Sequence, residues 1–345
     1  MNTPIRLIAT LALGLPLLAC SPAENLEHNT HTNTSPESET PMGEKRFAGQ
    51  IAPILDGMGE HGFDLLAAND TAKLFFNQAL ALTYGFNHVE AGRSYQQVAA
   101  LEPTSAIAYW GQALVLGPNI NGAMESSSVA PAYEAIQKAL SLESHASDKE
   151  RGLIRALNAR YSNDESMADR TVLDEAYADA MRALVARYPE DPNIRTLLAE
   201  ALMVIHAWDY WMGDGRPKEW TPEILEVLET GLTSHPNHAG LIHYYIHAVE
   251  ASKNPDRALA GADTLRDLVP GAGHLVHMPS HIYIRTGRYQ DGVEANEKAI
   301  VVDNNYIAQC RQQGIYPLAY VPHNRHFLWA MASMQGNSKK AIDAA

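Results

Sequence analysis

The sequence predicts an all-α fold, and three observations support that prediction. Apolar residues such as Ala91, Tyr95 and Val98 recur at helical spacing, which places them on one face of a helix. Short breaks such as Glu102-Pro103 separate periodic segments of about 12 to 18 residues. No stretch shows the sustained alternation of apolar and polar residues that a half-buried strand would have. Successive helices are therefore expected from Asp70 onward.

The first twenty residues predict export. Arg6 is the one basic residue before an apolar run from Leu7 to Leu18, and that run is too short for a comfortable membrane span. Its end, Leu17-Leu18-Ala19-Cys20, resembles the bacterial lipobox. That resemblance implies cleavage of residues 1–20 as a lipoprotein signal peptide and lipidation of Cys20. Lipoproteins retained at the inner membrane usually carry Asp after the lipidated Cys, and this chain has Ser21 there. The resemblance therefore implies an outer-membrane anchor that faces the periplasm or the outside. The alternative is an uncleaved membrane anchor.

Residues 21–50 are rich in Ser, Thr, Asn, Glu and Pro, a composition typical of a disordered tether. The folded domain is then expected over 51–345. The chain has 2 cysteines, so lipidation of Cys20 leaves Cys310 as the remaining thiol. This count excludes an intramolecular disulfide and a thiolate metal site.

The charge balance argues against nucleic-acid binding. The chain has 26 Lys+Arg against 40 Asp+Glu and a formal net charge of -14. A phosphate-binding surface needs clustered Lys and Arg, and the sequence has no such cluster. Cations, basic peptides or simple solubility remain compatible with an acidic chain.

A repeat is visible in the C-terminal half. The segment from Tyr283 to Asp291, with Gly287 at a turn, resembles the centre of a tetratricopeptide repeat. The preceding unit, Tyr244 to Pro270, matches it at a shift of about 34 residues, the length of that repeat. The resemblance covers 70–345 and implies about seven helical hairpins stacked in a right-handed superhelix, an α-solenoid. Because the sequence ends within a second helix, we expect either a short last helix or a longer protein.

Two N-terminal segments, 84–91 and 109–121, resemble a pattern in an uncharacterised group of bacterial tetratricopeptide proteins that also carry histidine-rich segments. Gly85 and Asn87 suit a tight turn in the first segment, and the aromatic residues suit packing between helices. We interpret both segments as structural.

Ten of the fifteen histidines lie between positions 206 and 326, mostly in three clusters at 243–250, 274–281 and 323–326. Spacings of three, four or seven within a cluster place the side chains on one helix face. The repeat shift relates His243 to His277 and His247 to His281. A longer shift, which allows for an insertion, relates His274 to His323 and His277 to the last histidine of the third cluster. The same repeat positions therefore carry histidine in consecutive units.

By the tetratricopeptide resemblance, these positions and that of Glu250 line the concave groove on the first helices of three successive hairpins. Imidazoles reaching across neighbouring helices can share an ion, and the set is large enough for two ions. Without an ion, seven neutral imidazoles in one groove would leave many polar groups to satisfy. The predicted metal ligands are His243, His247, Glu250, His274, His277, His281, His323 and His326.

Imidazole ligands suit copper, iron or zinc, and the sequence does not choose among them. Two functions fit such a site: a metal-dependent enzyme, for instance an oxidase or a hydrolase, and a metal-handling protein. The main alternative is a metal-free scaffold whose groove binds a peptide or protein partner at the outer membrane. A third hypothesis is a pH sensor, since histidine titrates near neutral pH.

Overall fold

The computed structural model describes residues 50–66, 69–164, 169–309 and 314–345. These residues belong to one compact unit, Glu44–Ala345. The predicted signal peptide with Cys20, nearly all of the predicted tether, and Cys310 lie outside the described residues. Every helix in the described part of the chain is too short or too polar to span a lipid bilayer.

The all-α prediction is confirmed. Within the described ranges the extended pairing consists of two isolated bridges, Asn119 with Gly122 and Trp211 with Pro217. The helices are α1 (Asp70–Tyr84), α2 (His88–Leu101), α3 (Ala106–Leu114), α4 (Ser126–Ser141), α5 (Asp148–Asn158), α6 (Thr171–Arg187), α7 (Pro192–Ile205), α8 (Thr221–Ser234), α9 (Ala239–Val249), α10 (Leu259–Leu268), α11 (Gly273–His277), α12 (Pro279–Thr286), α13 (Tyr289–Gln309), α14 (Tyr316–Met334) and α15 (Ser338–Ala344). Two 3₁₀ turns, Glu143–His145 and Pro255–Ala258, join them.

Neighbouring helices pack in pairs along the chain, and in the described part they form the seven predicted hairpins. The pairs are α1 with α2, α3 with α4, α5 with α6, α7 with α8, α9 with α10, α11 and α12 with α13, and α14 with α15. The three histidine clusters therefore lie on the first helices of the last three hairpins, as the repeat pattern predicted.

Local sequence signals explain where the helices begin and end. The Asn69 side chain accepts from the backbone N–H groups of Thr71 and Ala72 and so caps α1, and Ser147 caps α5 in a capping box with Glu150. These contacts satisfy N–H groups that have no partner inside the helix. Gly287 ends α12 with a φ of 77°, a left-handed conformation that glycine adopts without strain. The turn predicted at Gly287 is confirmed.

The first helix of the sixth hairpin is divided into α11 and α12 at Met278. Pro279 has no backbone N–H to donate, so it interrupts the hydrogen-bond ladder at this point. Met278 nevertheless keeps helical angles, with φ -51° and ψ -37°. His277 and His281 therefore remain four residues apart on one continuous face.

The N-terminal hairpin packs against the C-terminal half of the chain. The Tyr84 hydroxyl donates to Asn193 Oδ1 at 2.6 Å, the Tyr306 hydroxyl donates to Asn87 at 3.2 Å, and α1 contacts α9. These contacts place the turn between α1 and α2 directly over the histidines of α9. The histidines that were expected to line a concave groove are therefore mostly buried.

Candidate metal centre

Three successive first helices supply the histidines of the candidate metal centre. Helix α9 carries His243 and His247, α11 carries His274 and His277, α12 carries His281, and α14 carries His323. Glu250 follows the last residue of α9. The structure brings seven of the eight predicted ligands together.

Three histidines form a first group, which we call site A: His243, His247 and His274. Their ligand-capable nitrogens lie within 4.8 Å of one another, and all three side chains are buried. The Nε2 atoms of His243 and His247 and both ring nitrogens of His274 have no hydrogen-bond partner. Leaving such nitrogens buried without a partner is costly, and a metal ion would satisfy one on each ring.

Three further histidines form site B: His277, His281 and His323. His281 Nε2 lies 2.9 Å from His277 Nε2 and 3.4 Å from His323 Nε2. All three ligand atoms lie within 4.8 Å of one another. With metal–nitrogen bonds of about 2.0–2.1 Å, nitrogens at these separations can bind one ion.

Hydrogen bonds at Nδ1 orient the two site A histidines of α9. His243 Nδ1 lies 2.6 Å from the carbonyl oxygen of Tyr84, and His247 Nδ1 lies 2.7 Å from Glu250 Oε1. A carbonyl and a carboxylate accept hydrogen bonds, so each Nδ1 carries the proton. Each Nε2 then presents a lone pair to site A, which is the arrangement of histidine ligands in metal proteins.

Site B has the same arrangement. His281 Nδ1 donates to Glu250 Oε2 at 2.7 Å, and His277 Nδ1 lies 2.6 Å from Asn296 Oδ1. The Asn296 amide is oriented because its Nδ2 donates to the carbonyl oxygen of Gly292 at 2.7 Å. Its Oδ1 therefore accepts from His277. When both rings are neutral, the two Nε2 atoms, 2.9 Å apart, carry lone pairs directed at each other.

Glu250 connects the two sites through its carboxylate. One oxygen accepts from His247 of site A and the other from His281 of site B. Burial alone would raise the pKa of Glu250. The hydrogen bonds from His281 and His247, and the positive charge that either ring carries when it is protonated, lower this pKa below its usual range. Because both oxygens are bound to Nδ1 atoms, Glu250 orients His247 and His281. One oxygen of Glu250 also lies within 4.8 Å of a ring nitrogen of each of these histidines, so the three side chains form a third group that could hold an ion.

The surroundings favour neutral imidazoles. Burial lowers the pKa of His243, His274 and His277 well below the usual histidine value, and neighbouring imidazoles lower it further. Burial likewise lowers the pKa of His323, to about 4. A neutral imidazole is the form that binds a metal ion.

A phenylalanine packs on each site. Phe86 lies in the turn between α1 and α2 with its ring centroid 4.6 Å from that of His243 and 5.3 Å from that of His274. The Phe327 ring centroid lies 4.4 Å from that of His281 and 4.8 Å from that of His323. Phe86 holds a φ of 57°, a strained backbone for a bulky side chain.

His326, also predicted as a ligand, belongs to neither site. It is exposed and stacks on Trp329 at a centroid distance of 5.4 Å. The repeat pattern explains the difference, because each site combines an i, i+4 histidine pair of one repeat with one histidine from the next repeat. The longer shift maps His281 onto Ala330, so His326 has no i+4 partner with which to begin a third site.

Several residues that support the centre have little signal in the sequence. The Tyr84 carbonyl, Phe86 and Asn296 contact ligand histidines from distant parts of the chain. The interpretation of segment 84–91 as structural is incomplete, because this segment contributes one acceptor and one aromatic wall to site A. Only the packing of α1 on α9 reveals this role.

A cavity of about 720 Å³ reaches both sites. His247 and His274 of site A and His281 and His323 of site B line its wall. Ions bound at the two sites would therefore be accessible from the cavity.

No protein-family model matches the chain, and no curated protein matches it either. Among solved structures, the chain is similar to the human IFIT1 dimer with PPP-AAAA. The two chains are 14% identical, and the alignment covers 79% of this chain and 71% of that chain with a TM-score of 0.38. A similarity at that level adds no argument about function.

Proposed function

We propose that the chain binds two transition-metal ions, one at site A and one at site B. The observation that carries this proposal is the 2.9 Å contact between His277 Nε2 and His281 Nε2. When both rings are neutral, the acceptors at the two Nδ1 atoms leave two Nε2 lone pairs facing each other, which is repulsive unless a metal ion lies between them.

Site A supports the same conclusion by a separate route. Its nitrogens are buried and have no protein hydrogen-bond partner. Packing four such nitrogens together without a ligand would cost free energy at each one. A metal ion bound to one nitrogen of each ring removes most of that cost.

The donor set favours copper. Each site offers three imidazoles, and the one nearby carboxylate is bound to Nδ1 atoms. Imidazole suits zinc, copper and iron, and copper(II) binds a given nitrogen site most tightly of the divalent ions. Zinc and iron remain the alternatives to be tested beside copper.

The open face of each site favours a reactive centre over a closed structural one. Three protein ligands with an accessible further position are typical of catalytic metal sites, whereas structural sites are fully ligated by protein. The cavity reaches two histidines of each site. We therefore propose a metal-dependent enzyme, an oxidase or a hydrolase, ahead of a storage protein.

The test is the metal content of the full chain, purified without a histidine tag and measured by ICP-MS. We expect two ions per chain in the parent. His243→Ala should lose the ion of site A, His277→Ala should lose the ion of site B, and the double variant should bind neither.

The matched control is His326→Ala, which removes a histidine that belongs to neither site. It should keep both ions. A parent protein that binds no copper, zinc or iron, even after reconstitution, would contradict the proposal. That result would favour the metal-free scaffold that binds a peptide or protein partner.

We also propose that a lipid on Cys20 anchors the protein to the outer membrane. The support is the lipobox resemblance of 17–20. Cys20→Ala should move the protein from the membrane fraction to the soluble fraction, and an unchanged membrane fraction would contradict the anchor.

A further inference from the structure

The cavity that reaches both sites has the size of a small-molecule site. Its volume is about 720 Å³, and pockets for small organic ligands span about 300–1,000 Å³. Since its wall includes two histidines from each site, a molecule in the cavity can contact both ions. The rest of the wall then decides which molecules fit.

The wall offers no unpaired cation among the described residues. It contains no lysine, and Arg93 is its one arginine. The Arg93 guanidinium donates to Glu90 Oε2 at 3.1 Å and to the carbonyl oxygen of Ile51 at 2.8 Å. The carboxylate of Glu125 also lines the cavity. An anionic group placed away from the ions would therefore be desolvated without compensation.

Two aromatic side chains line the cavity beside site A. The Trp208 ring meets the His247 ring edge to face at 5.1 Å, and the Tyr320 ring meets the His274 ring at 4.8 Å. Trp208 is 51% exposed and holds a φ of 60°. A bulky residue that is kept in a strained conformation and is about half exposed is typical of a binding role.

The remaining polar groups of the wall are neutral. The carboxamides of Gln96, Gln112 and Asn121 line it, and Asn121 Nδ2 donates to the Tyr320 hydroxyl at 3.1 Å. Such groups hydrogen-bond hydroxyls and amides without requiring charge. The wall as a whole thus fits a planar, uncharged molecule with hydrogen-bonding groups.

Resting on the proposed pair of ions, we propose that the cavity binds an uncharged aromatic alcohol, a phenol. Its oxygen faces the ions, and its ring lies against Trp208. The ions take the phenol oxygen as a further ligand, and the indole ring of Trp208 provides the aromatic contact. Because the described wall residues include no unpaired cation, a ligand with an anionic group at its far end is excluded.

Three probes of nearly one size test this on the metal-loaded chain, by calorimetry without oxygen. Naphthol has the ring and the hydroxyl, decahydronaphthol lacks the aromatic ring, and a hydroxynaphthalene sulfonate adds an anion at the far end. We expect naphthol to bind about tenfold more tightly than either of the others. Equal binding of naphthol and decahydronaphthol, or tightest binding of the sulfonate, overturns the proposal.

Two tryptophan variants test the position of the ring. Trp208→Ala should weaken naphthol binding about tenfold with both ions retained. Trp329→Ala is the matched control, because Trp329 is also exposed and also contacts a histidine, outside the cavity. It should leave naphthol binding unchanged.

Metal content measured on the same samples distinguishes a failure of the phenol proposal from a failure of the metal proposal. Two bound ions with no preference for naphthol overturn the phenol site and leave the proposed function standing. A parent chain without metal overturns both. If Trp208→Ala does not fold, the comparison of the three probes on the parent still decides the question.

Discussion

His277 Nε2 lies 2.9 Å from His281 Nε2, and when both rings are neutral with the proton on Nδ1, neither of these nitrogens carries a proton. Asn296 and Glu250 accept from the opposite sides of the two rings, so the lone pairs cannot both be turned away without breaking a buried hydrogen bond. That loss costs about 1–3 kcal/mol for each unsatisfied group. The folded chain therefore holds an arrangement that the proposed metal ion would stabilise directly.

The first prediction concerns metal removal. The two proposed ions would link α9, α11, α12 and α14, so a chelator should lower the unfolding temperature of the metal-loaded parent. At metal concentrations a hundredfold above the dissociation constant, each ion stabilises the fold by about 2.7 kcal/mol. The His243→Ala, His277→Ala double variant should show no response to the chelator in the same thermal scan. An equal response of both proteins would contradict the prediction.

The second prediction concerns Glu250, which contacts both sites. Glu250→Gln leaves one oxygen and replaces the other by an amide nitrogen that cannot accept from Nδ1. Loss of such an orienting contact typically costs about 10–100-fold in metal affinity. Competition with a chelator should show weaker binding at one or both sites. Glu60→Gln, at an exposed position away from the centre, is the control and should bind as the parent does.

The third prediction concerns Asn296, which contacts His277 of site B. Asn296→Leu removes the acceptor, so the ion of site B should bind about 10–100-fold more weakly, while that of site A stays. Asn296→Asp keeps an acceptor and should bind the ion at least as tightly as the parent. Titration with copper in the presence of a chelator measures both. Equal binding by the Leu and Asp variants would show that the contact does not matter.

The sequence predicted much of this centre because the repeat is regular. The repeat shift places His243 and His247 opposite His277 and His281, and helical spacing places each pair on one face. The grouping could not be predicted, because it depends on how far each side chain reaches toward the next helix. His274 completes site A rather than joining its neighbour His277 in site B.

The supporting residues were beyond prediction for a different reason. Tyr84 lies 159 residues before His243 in the chain, and no local pattern predicts a contact over that separation. The packing of α1 on α9 depends on long-range burial instead. For the same reason, the sequence predicted that these histidines line a concave groove, and it did not predict their burial in a centre with a cavity at one side.

The fourth prediction concerns Gly273, the first residue of α11, which precedes His274. A methyl group at this position would overlap the buried carboxylate of Asp303. Gly273→Ala should therefore displace the start of α11, weaken the ion of site A more than that of site B, and destabilise the fold by about 1–3 kcal/mol.

The control for this prediction is Gly213→Ala, because nothing lies within 4 Å of an added methyl group there. Metal titration and urea unfolding should match the parent for this variant. If Gly273→Ala also matched the parent in both measurements, the close approach of Asp303 would not position His274.

The last prediction concerns the buried carboxylate of Asp303. It accepts from the Tyr316 hydroxyl at 2.9 Å and from Asn324 Nδ2 at 2.7 Å, yet burial raises its pKa to about 6. The folded protein then binds the proton more tightly than the unfolded chain, so this group destabilises the fold as the pH rises from about 4 through 6.

Asp303→Asn removes that charge and keeps an acceptor for Tyr316. From the shift of 3.8 to about 6, the variant should be more stable than the parent at about pH 7.5 by up to about 3 kcal/mol. The difference should fall to about half of that near pH 5. Urea unfolding in the presence of chelator measures it, with the exposed Asp343→Asn as control. A variant less stable than the parent at pH 7.5, or a difference that grows as the pH falls, would show that the ionised carboxylate stabilises the fold through Tyr316 and Asn324.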